Sequence, residues 1–332
     1  MALHWITFGL SSTAIILAGI RLAPFGDAIG RRTGIGQGWI GLLFLATLTS
    51  IPEMTTTVTG AMIDAPNNAL GNAFGSNLFN VVIVAVLDVL LLGRGPFLLK
   101  VRSYHILSGT MAILLTSIAA LGMVVASPVQ WLGISPFSWL ILVGYAVGVV
   151  VLFHAEKRQL EAEEQTEEPM ALQKAILGFV LCALVVIASG IFLIHSSKAI
   201  SLTTGLSASF MGAVLVAIVT SLPELATSIG ALRIGAYDMI VGNLFGSNMF
   251  NILTIFFADA SFRGGAILSN LRGGANDQLI VAICGIVLTG IATAAIGIRS
   301  RKRILGIGVD SLLLWIAYLL AAALIISRGI QF

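Results

Sequence analysis

Two short polar stretches lie inside long apolar runs, and each occurs twice. TSIPE at Thr49–Glu53 returns as TSLPE at Thr220–Glu224, and GNAFGSNLFN at Gly71–Asn80 returns as GNLFGSNMFN at Gly242–Asn251. On a helix, Thr49, Ser50, Glu53, Thr56 and Thr57 gather on one face through steps of three and four. Thr220, Ser221, Glu224, Thr227 and Ser228 repeat that face. Pro52 and Pro223 withhold a backbone donor, so the helix kinks or breaks just before each acid and frees carbonyls upstream. Carboxylate, hydroxyl and carbonyl oxygens converging on one place suit a hard cation.

The asparagine stretch adds neutral oxygens. Asn72, Ser76 and Asn80 are spaced four apart, as are Asn243, Ser247 and Asn251. Amide and hydroxyl oxygens complete a cation's shell without adding charge. A lone asparagine in a spanning helix usually bonds a neighbouring helix, and Asn72, Asn77, Asn243 and Asn248 stay open to that role. An ionisable residue at membrane depth is costly and marks function, which singles out Glu53 and Glu224. Gly71/Gly75 and Gly242/Gly246 have the small-xxx-small spacing that lets helices approach closely.

These residues must be positioned by membrane helices. The chain has 332 residues, 58% apolar and 10% charged, against about 25% charged in soluble domains. About ten runs reach the roughly 20 residues that a spanning helix needs. They lie near 5–24, 36–62, 69–93, 104–126, 135–154, 171–195, 209–231, 238–260, 276–297 and 308–327. None shows the strand alternation of a membrane barrel. The expected class is an all-α integral membrane protein, which excludes a soluble enzyme. The first run does not read as a signal peptide, because MALHW holds no Lys or Arg and no A-x-A-like site follows. Cys182 and Cys284 stand singly in apolar runs and read as packing residues. The net charge of +3 comes from loop residues and needs no nucleic-acid partner; the partner is the lipid bilayer.

Shifting the sequence by 171 residues aligns more than the two stretches. Gly19 falls on Gly190, Thr33 on Thr204, Gly41 on Gly212, Ala46 on Ala217 and Asp88 on Asp259. Each copy spans five helices. Five is odd, so the second copy enters the membrane from the opposite side, and inverted repeats of this kind are a signature of secondary transporters. The expected organisation is a first half at 1–154 (helices 1–5), a charged linker at 155–170 and a second half at 171–332 (helices 6–10). In a ten-span arrangement all Lys and Arg except Lys198, Arg263, Arg272 and Arg328 fall on one side. Positive loops stay cytoplasmic. Both termini are therefore expected outside, and the acidic stretch AEKRQLEAEEQTEEP inside as a solvated linker.

The paired TS-[IL]-PE and GN-x-x-GSN-x-x-N stretches resemble the α-repeats of the sodium/calcium exchanger family, within the cation/calcium exchanger superfamily. The resemblance implies a ten-helix fold in which helices 1 and 6 slide over an eight-helix core. It implies exchange of Ca²⁺ for Na⁺ by alternating access at a midplane site, with no cofactor, in a protein able to work as a monomer. It maps the central acids to Glu53 and Glu224. Hydroxyl and backbone ligands map to Ala46, Thr49, Ser50 and Ser76, and to Ala217, Thr220, Ser221 and Ser247. The remaining central positions map to Asn80 and Asn251.

The chain departs from the family's pattern in two places. Members often carry Asp at one of the last two positions, where this chain has Asn at both. The segments after the motif carry Asp88 and Asp259, eight residues past Asn80 and Asn251, which read either as interfacial residues or as ion or proton passage sites. The main reading is a Ca²⁺/Na⁺ antiporter of a prokaryotic plasma (inner) membrane. The alternative uses H⁺ as counter-ion for Ca²⁺ or another divalent cation, with the glutamates protonated. A cation channel is the reading from a different class. A membrane enzyme is disfavoured: no HExxH occurs, and His4, His105, His154 and His195 fall near span ends.

Overall fold

The computed structural model describes residues 2–91, 95–160, 170–204, 219–271 and 275–328. Apolar chain in lipid must satisfy its own backbone, so the long runs become helices. In order these are α1 Ala2–Thr33, α2 Gln37–Thr49, α3 Ile51–Met62, α4 Pro66–Leu90, α5 His105–Val125, α6 Pro136–Leu160, α7 Leu172–Thr204, α8 Leu222–Arg233, α9 Tyr237–Ser261, α10 Ala275–Ile298 and α11 Val309–Ser327. Among the described residues the only sheet is a two-stranded hairpin, β1 Arg303–Ile304 with β2 Ile307–Gly308. Among the described residues, eight helices are long and apolar enough to cross a membrane. The span expected at 36–62 is instead broken into α2 and α3, and the one expected at 209–231 ends in the short α8.

The 171-residue register is visible in the backbone. α3 and α8 each have 12 residues, and α4 and α9 each have 25, with both starts in register. The chain breaks before each acid with the same geometry: Ser50 has φ −92°, ψ 8°, and Ser221 φ −90°, ψ 10°. The turns that follow also match. After α3, Ala65 N–H reaches the Gly60 carbonyl and Asp64 N–H the Ala61 carbonyl; after α8, Ala236 reaches Ala231 and Gly235 reaches Leu232. Such a helix end needs a left-handed residue. Gly235 takes φ 73° without strain, and Asp64 takes φ 62° in the equivalent place, as a short polar side chain can.

The chain forms two compact units, and each draws on both halves of the sequence. The first comprises Met1–Pro52, Lys100–His105 and Val150–Ser247; the second comprises Glu53–Leu99, Ile106–Val149 and Asn248–Phe332. Within the first, α1 packs along α7 and against α8. Gly19 allows that approach, since a Cβ there would lie 2.7 Å from the Ala226 Cβ. In the second, α10 and α11 pack on α4. In their most apolar stretches, 78% of α4 and 89% of α9 is buried inside protein. These two helices carry the asparagine motifs, and enclosure by protein is what lets polar side chains sit at membrane depth.

α1 runs to Thr33, well past the span expected to end near residue 24, because Pro24 is accommodated inside the helix. α6 continues through Leu160, so the first residues of the charged stretch are helical. The rest of the acidic linker, 161–169, and the region 205–218, which contains Gly205, Gly212 and Ala217, lie outside the described residues.

Candidate functional site

The breaks at Ser50 and Ser221 set the local geometry. Pro52 offers no N–H to the Leu48 carbonyl, and Pro223 none to Val219. The Ala46 carbonyl is already engaged: it accepts the Ser50 N–H at 3.1 Å and lies 3.4 Å from Thr49 Oγ1. Ala46, Thr49, Ser50, Glu53, Ser76, Asn80, Thr220, Ser221, Glu224, Ser247 and Asn251 are all buried, each no more than 2% exposed. Ala217 lies outside the described residues.

In the first unit the centre is Glu224. Ser50 donates to its Oε1 at 3.0 Å, and Ser247 approaches the same oxygen at 3.4 Å. Glu224 Oε2 is buried and has no hydrogen-bond partner. Asn243 spans the neighbouring threonines: its Nδ2 donates to Thr227 Oγ1 at 3.1 Å, and its Oδ1 lies 3.4 Å from Thr49 Oγ1, which donates to the Leu45 carbonyl at 2.9 Å. Thr227 in turn donates to the Pro223 or Glu224 carbonyl. Glycines bring the helices this close. A Cβ on Gly242 would overlap the Gly38 carbonyl oxygen, one on Gly246 the Leu42 carbonyl, and one on Gly41 the Met239 carbonyl. The backbones of α2 and α9 therefore touch directly.

In the second unit Asn72 Nδ2 donates to the Glu53 carbonyl at 3.1 Å and to Thr57 Oγ1 at 2.9 Å. This braces α3 against α4 beside the Glu53 carboxylate. Deeper along the helices four asparagines bond to one another. Asn77 Nδ2 donates to the Asn248 backbone carbonyl at 3.1 Å, and Asn248 Nδ2 to the Asn77 carbonyl at 3.3 Å. Asn80 Nδ2 donates to Asn248 Oδ1, and Asn251 Nδ2 to Asn77 Oδ1, both at 3.1 Å. Asn80 Oδ1 and Asn251 Oδ1 are buried acceptors with no hydrogen-bond partner. An unsatisfied buried acceptor costs about 1–3 kcal/mol, and an amide oxygen can accept from a donor or coordinate a hard cation.

Asp88 and Asp259 are fully buried, which the interfacial reading did not anticipate. Asp88 accepts the Phe97 N–H at 2.6 Å and the Gly308 N–H at 2.8 Å. Asp259 accepts the N–H groups of Ile267 and Ser135 and the Ser138 hydroxyl, each at 2.7 Å. Each of the four carboxylate oxygens thus accepts a backbone N–H, in the same manner in both repeats.

Sequence reasoning missed Glu156, which sits in the charged stretch yet is only 3% exposed. It accepts the Gly38 N–H at 2.9 Å and the Tyr104 hydroxyl at 3.1 Å, so it ties α6 to the start of α2. Burial, reinforced by the Glu156 charge, pushes the Tyr104 pKa well up and keeps it a donor. Beside it His105 and Arg102 face Asp238 at 3.4 and 3.3 Å.

Comparison with known proteins agrees with this arrangement. The family described as Sodium/calcium exchanger protein matches residues 3–154 and 174–326. A putative antiporter, CaxA, of Alkalimonas amylolytica is 28% identical over 299 residues, covering 85% of this chain and 90% of that protein. The inner membrane protein YrbG of Escherichia coli K12 is 27% identical over 272 residues, covering 78% and 82%. The solved structure of the sodium-calcium exchanger NCX_Mj soaked with Na⁺ and Ca²⁺ matches with a TM-score of 0.73 at 19% identity, covering 97% of this chain and 98% of that one. A form soaked with Na⁺ and Sr²⁺ matches with a TM-score of 0.74 at 20% identity. These structures share the fold of two five-helix repeats.

Proposed function

The chain belongs to the sodium/calcium exchanger family, and from that premise we propose that it is a secondary antiporter that exchanges Ca²⁺ for Na⁺ by alternating access. The family is one of membrane transporters and not of enzymes. Glu53 and Glu224 carry the charge that neutralises the cation. Thr49, Ser50, Ser76 and Asn80 supply neutral oxygens in one repeat, and Thr220, Ser221, Ser247 and Asn251 in the other, with the Ala46 and Ala217 carbonyls beside them. The cation is cargo, and the reading requires no cofactor. The protein acts as a monomer in the plasma (inner) membrane, with both termini outside.

The observation that carries this reading is the state of Glu224. A fully buried carboxylate with two hydroxyl donors on one oxygen and none on the other is incomplete as a structural group, but it is well suited to a cation. Charge neutrality explains the coupling. Two ionised glutamates balance one Ca²⁺ or two Na⁺. An empty site would carry two buried carboxylates, and each uncompensated charge costs several kcal/mol, so the unloaded carrier resists crossing.

The test is ⁴⁵Ca²⁺ uptake into liposomes holding the purified protein and loaded with Na⁺, with K⁺, or at low internal pH. Uptake driven by internal Na⁺ alone is the expected result. Uptake from acid-loaded vesicles only would replace Na⁺ with H⁺ as counter-ion. Flux that needs no opposing gradient would replace the antiporter with a channel.

A further inference from the structure

The amide orientations of four asparagines are fixed by two backbone carbonyls. A carbonyl only accepts, so Asn77 must turn its nitrogen toward the Asn248 carbonyl. Its Oδ1 then faces Asn251, which must present its own nitrogen in reply. That leaves Asn251 Oδ1 pointing away from the pair. The same sequence runs from the Asn77 carbonyl through Asn248 to Asn80. Each helix thus sets the orientation of a residue on the other: Asn77 on α4 acts on Asn251 of α9, and Asn248 on α9 acts on Asn80 of α4. All four residues are at least 97% buried, so no water competes for these bonds.

We propose that Asn77 and Asn248 are positioning residues that make Asn251 and Asn80 present oxygen, and not nitrogen, to the transported cation. This rests on the reading of Asn80 and Asn251 as cation ligands. An amide free to rotate by half a turn would offer a cation its NH₂ face in some molecules and its oxygen in others. The closed pattern removes that choice before the ion arrives. It also selects the residue type. A carboxylate at 251 would set oxygen against Asn77 Oδ1, acceptor against acceptor, and at 80 it would meet Asn248 Oδ1 in the same way. The pattern therefore accounts for an amide at both positions. Asn77 and Asn248 are helix-to-helix bonds and orienting groups at once.

A crosswise double-mutant cycle tests this, read by equilibrium ⁴⁵Ca²⁺ binding to purified protein that elutes as a single species. Asn77→Ala is expected to weaken Ca²⁺ binding about tenfold or more, as loss of an orienting neighbour does at metal sites. On an Asn251→Ala background the same change should add little, because its target is gone. On an Asn80→Ala background it should cost nearly its full amount, because the Asn251 oxygen that it orients is still in place. Asn248→Ala should show the mirror pattern, silent on Asn80→Ala and full on Asn251→Ala. If alanine loosens the fold, Asn77→Ser and Asn248→Ser enter the same cycle. A role in packing alone would make each change cost the same on both backgrounds, and that result overturns the proposal while leaving the ligand reading in place. Unchanged Ca²⁺ affinity in both Asn80→Ala and Asn251→Ala overturns the ligand reading and the proposal with it.

Discussion

Ser50 Oγ donates to Glu224 Oε1 at 3.0 Å, across 174 residues of sequence. The acid of the second repeat is thus held by a hydroxyl of the first, at the residue where the chain breaks between α2 and α3. Glu224→Gln and Glu53→Gln should each abolish Ca²⁺ exchange while the protein still inserts and purifies. Ser50→Ala should keep exchange but raise half-saturating Ca²⁺ about tenfold. Near-normal flux in both glutamine variants, measured with ⁴⁵Ca²⁺ in proteoliposomes, would remove these acids from the site.

Asp88 and Asp259 should behave differently. Their oxygens hold loop N–H groups, and hydrogen bonds to a charged group contribute about 1.5–3 kcal/mol each. Asp259→Asn turns one acceptor into a donor facing a donor. Its expected effect is a lower thermal midpoint in detergent, with ion selectivity and half-saturating Ca²⁺ unchanged in the protein that survives. A changed Ca²⁺/Na⁺ preference at unaltered stability would instead restore a passage role for this residue.

Glycines of one sequence class should separate by position. Gly242→Ala places a methyl group on the Gly38 carbonyl and forces α2 from α9, so loss of flux and of folded protein is expected. Gly285 on α10 has nothing within 4 Å of its would-be Cβ. Gly285→Ala should be neutral or stabilising by up to about 1 kcal/mol, since glycine costs that much inside a helix. Thermal unfolding of the two purified variants makes the comparison, and equal destabilisation would discount the backbone contact.

Much of this architecture was legible in the sequence. Glu53, Pro52 and Asn80 recur at one interval as Glu224, Pro223 and Asn251, and the structure keeps that interval in the break at Ser50 and Ser221 and in the turns after α3 and α8. Division of labour among the asparagines was not legible. Asn77 and Asn80 differ by one helical turn, and only the cross-helix carbonyls decide which amide orients and which is oriented. Asp88 and Asp259 were ambiguous because most of their partners are backbone N–H groups, two of them far along the chain at Gly308 and Ser135, which leave no side-chain signature. Glu156 was hidden by composition, since an acid among other charged residues reads as solvated until α6 is seen to carry it onto Gly38.

On the proposed ligand set, the amides at 80 and 251 also limit the charge that can move. With two glutamates ionised, one Ca²⁺ leaves the site neutral, and a third Na⁺ would leave it at +1 in a low-dielectric pocket, at a cost of several kcal/mol. Two Na⁺ per Ca²⁺ and electroneutral exchange are expected. Flux should hold steady against a K⁺/valinomycin potential in reconstituted vesicles. A reversal potential that demands three Na⁺ would refute the charge count.

The lengths of α1 and α7 bear on the host membrane. They have 32 and 33 residues and pack along each other, so at about 1.5 Å per residue each is close to 50 Å long. The hydrocarbon layer is only about 30 Å thick. A pair that long must lean or protrude, and the balance is set by the thickness of the lipid. The tilt of this pair is therefore expected to depend on acyl-chain length. The pair should stand more upright in long-chain lipid and lie flatter in short-chain lipid, and the turnover rate should follow that slope without any change in the residues that touch the ion.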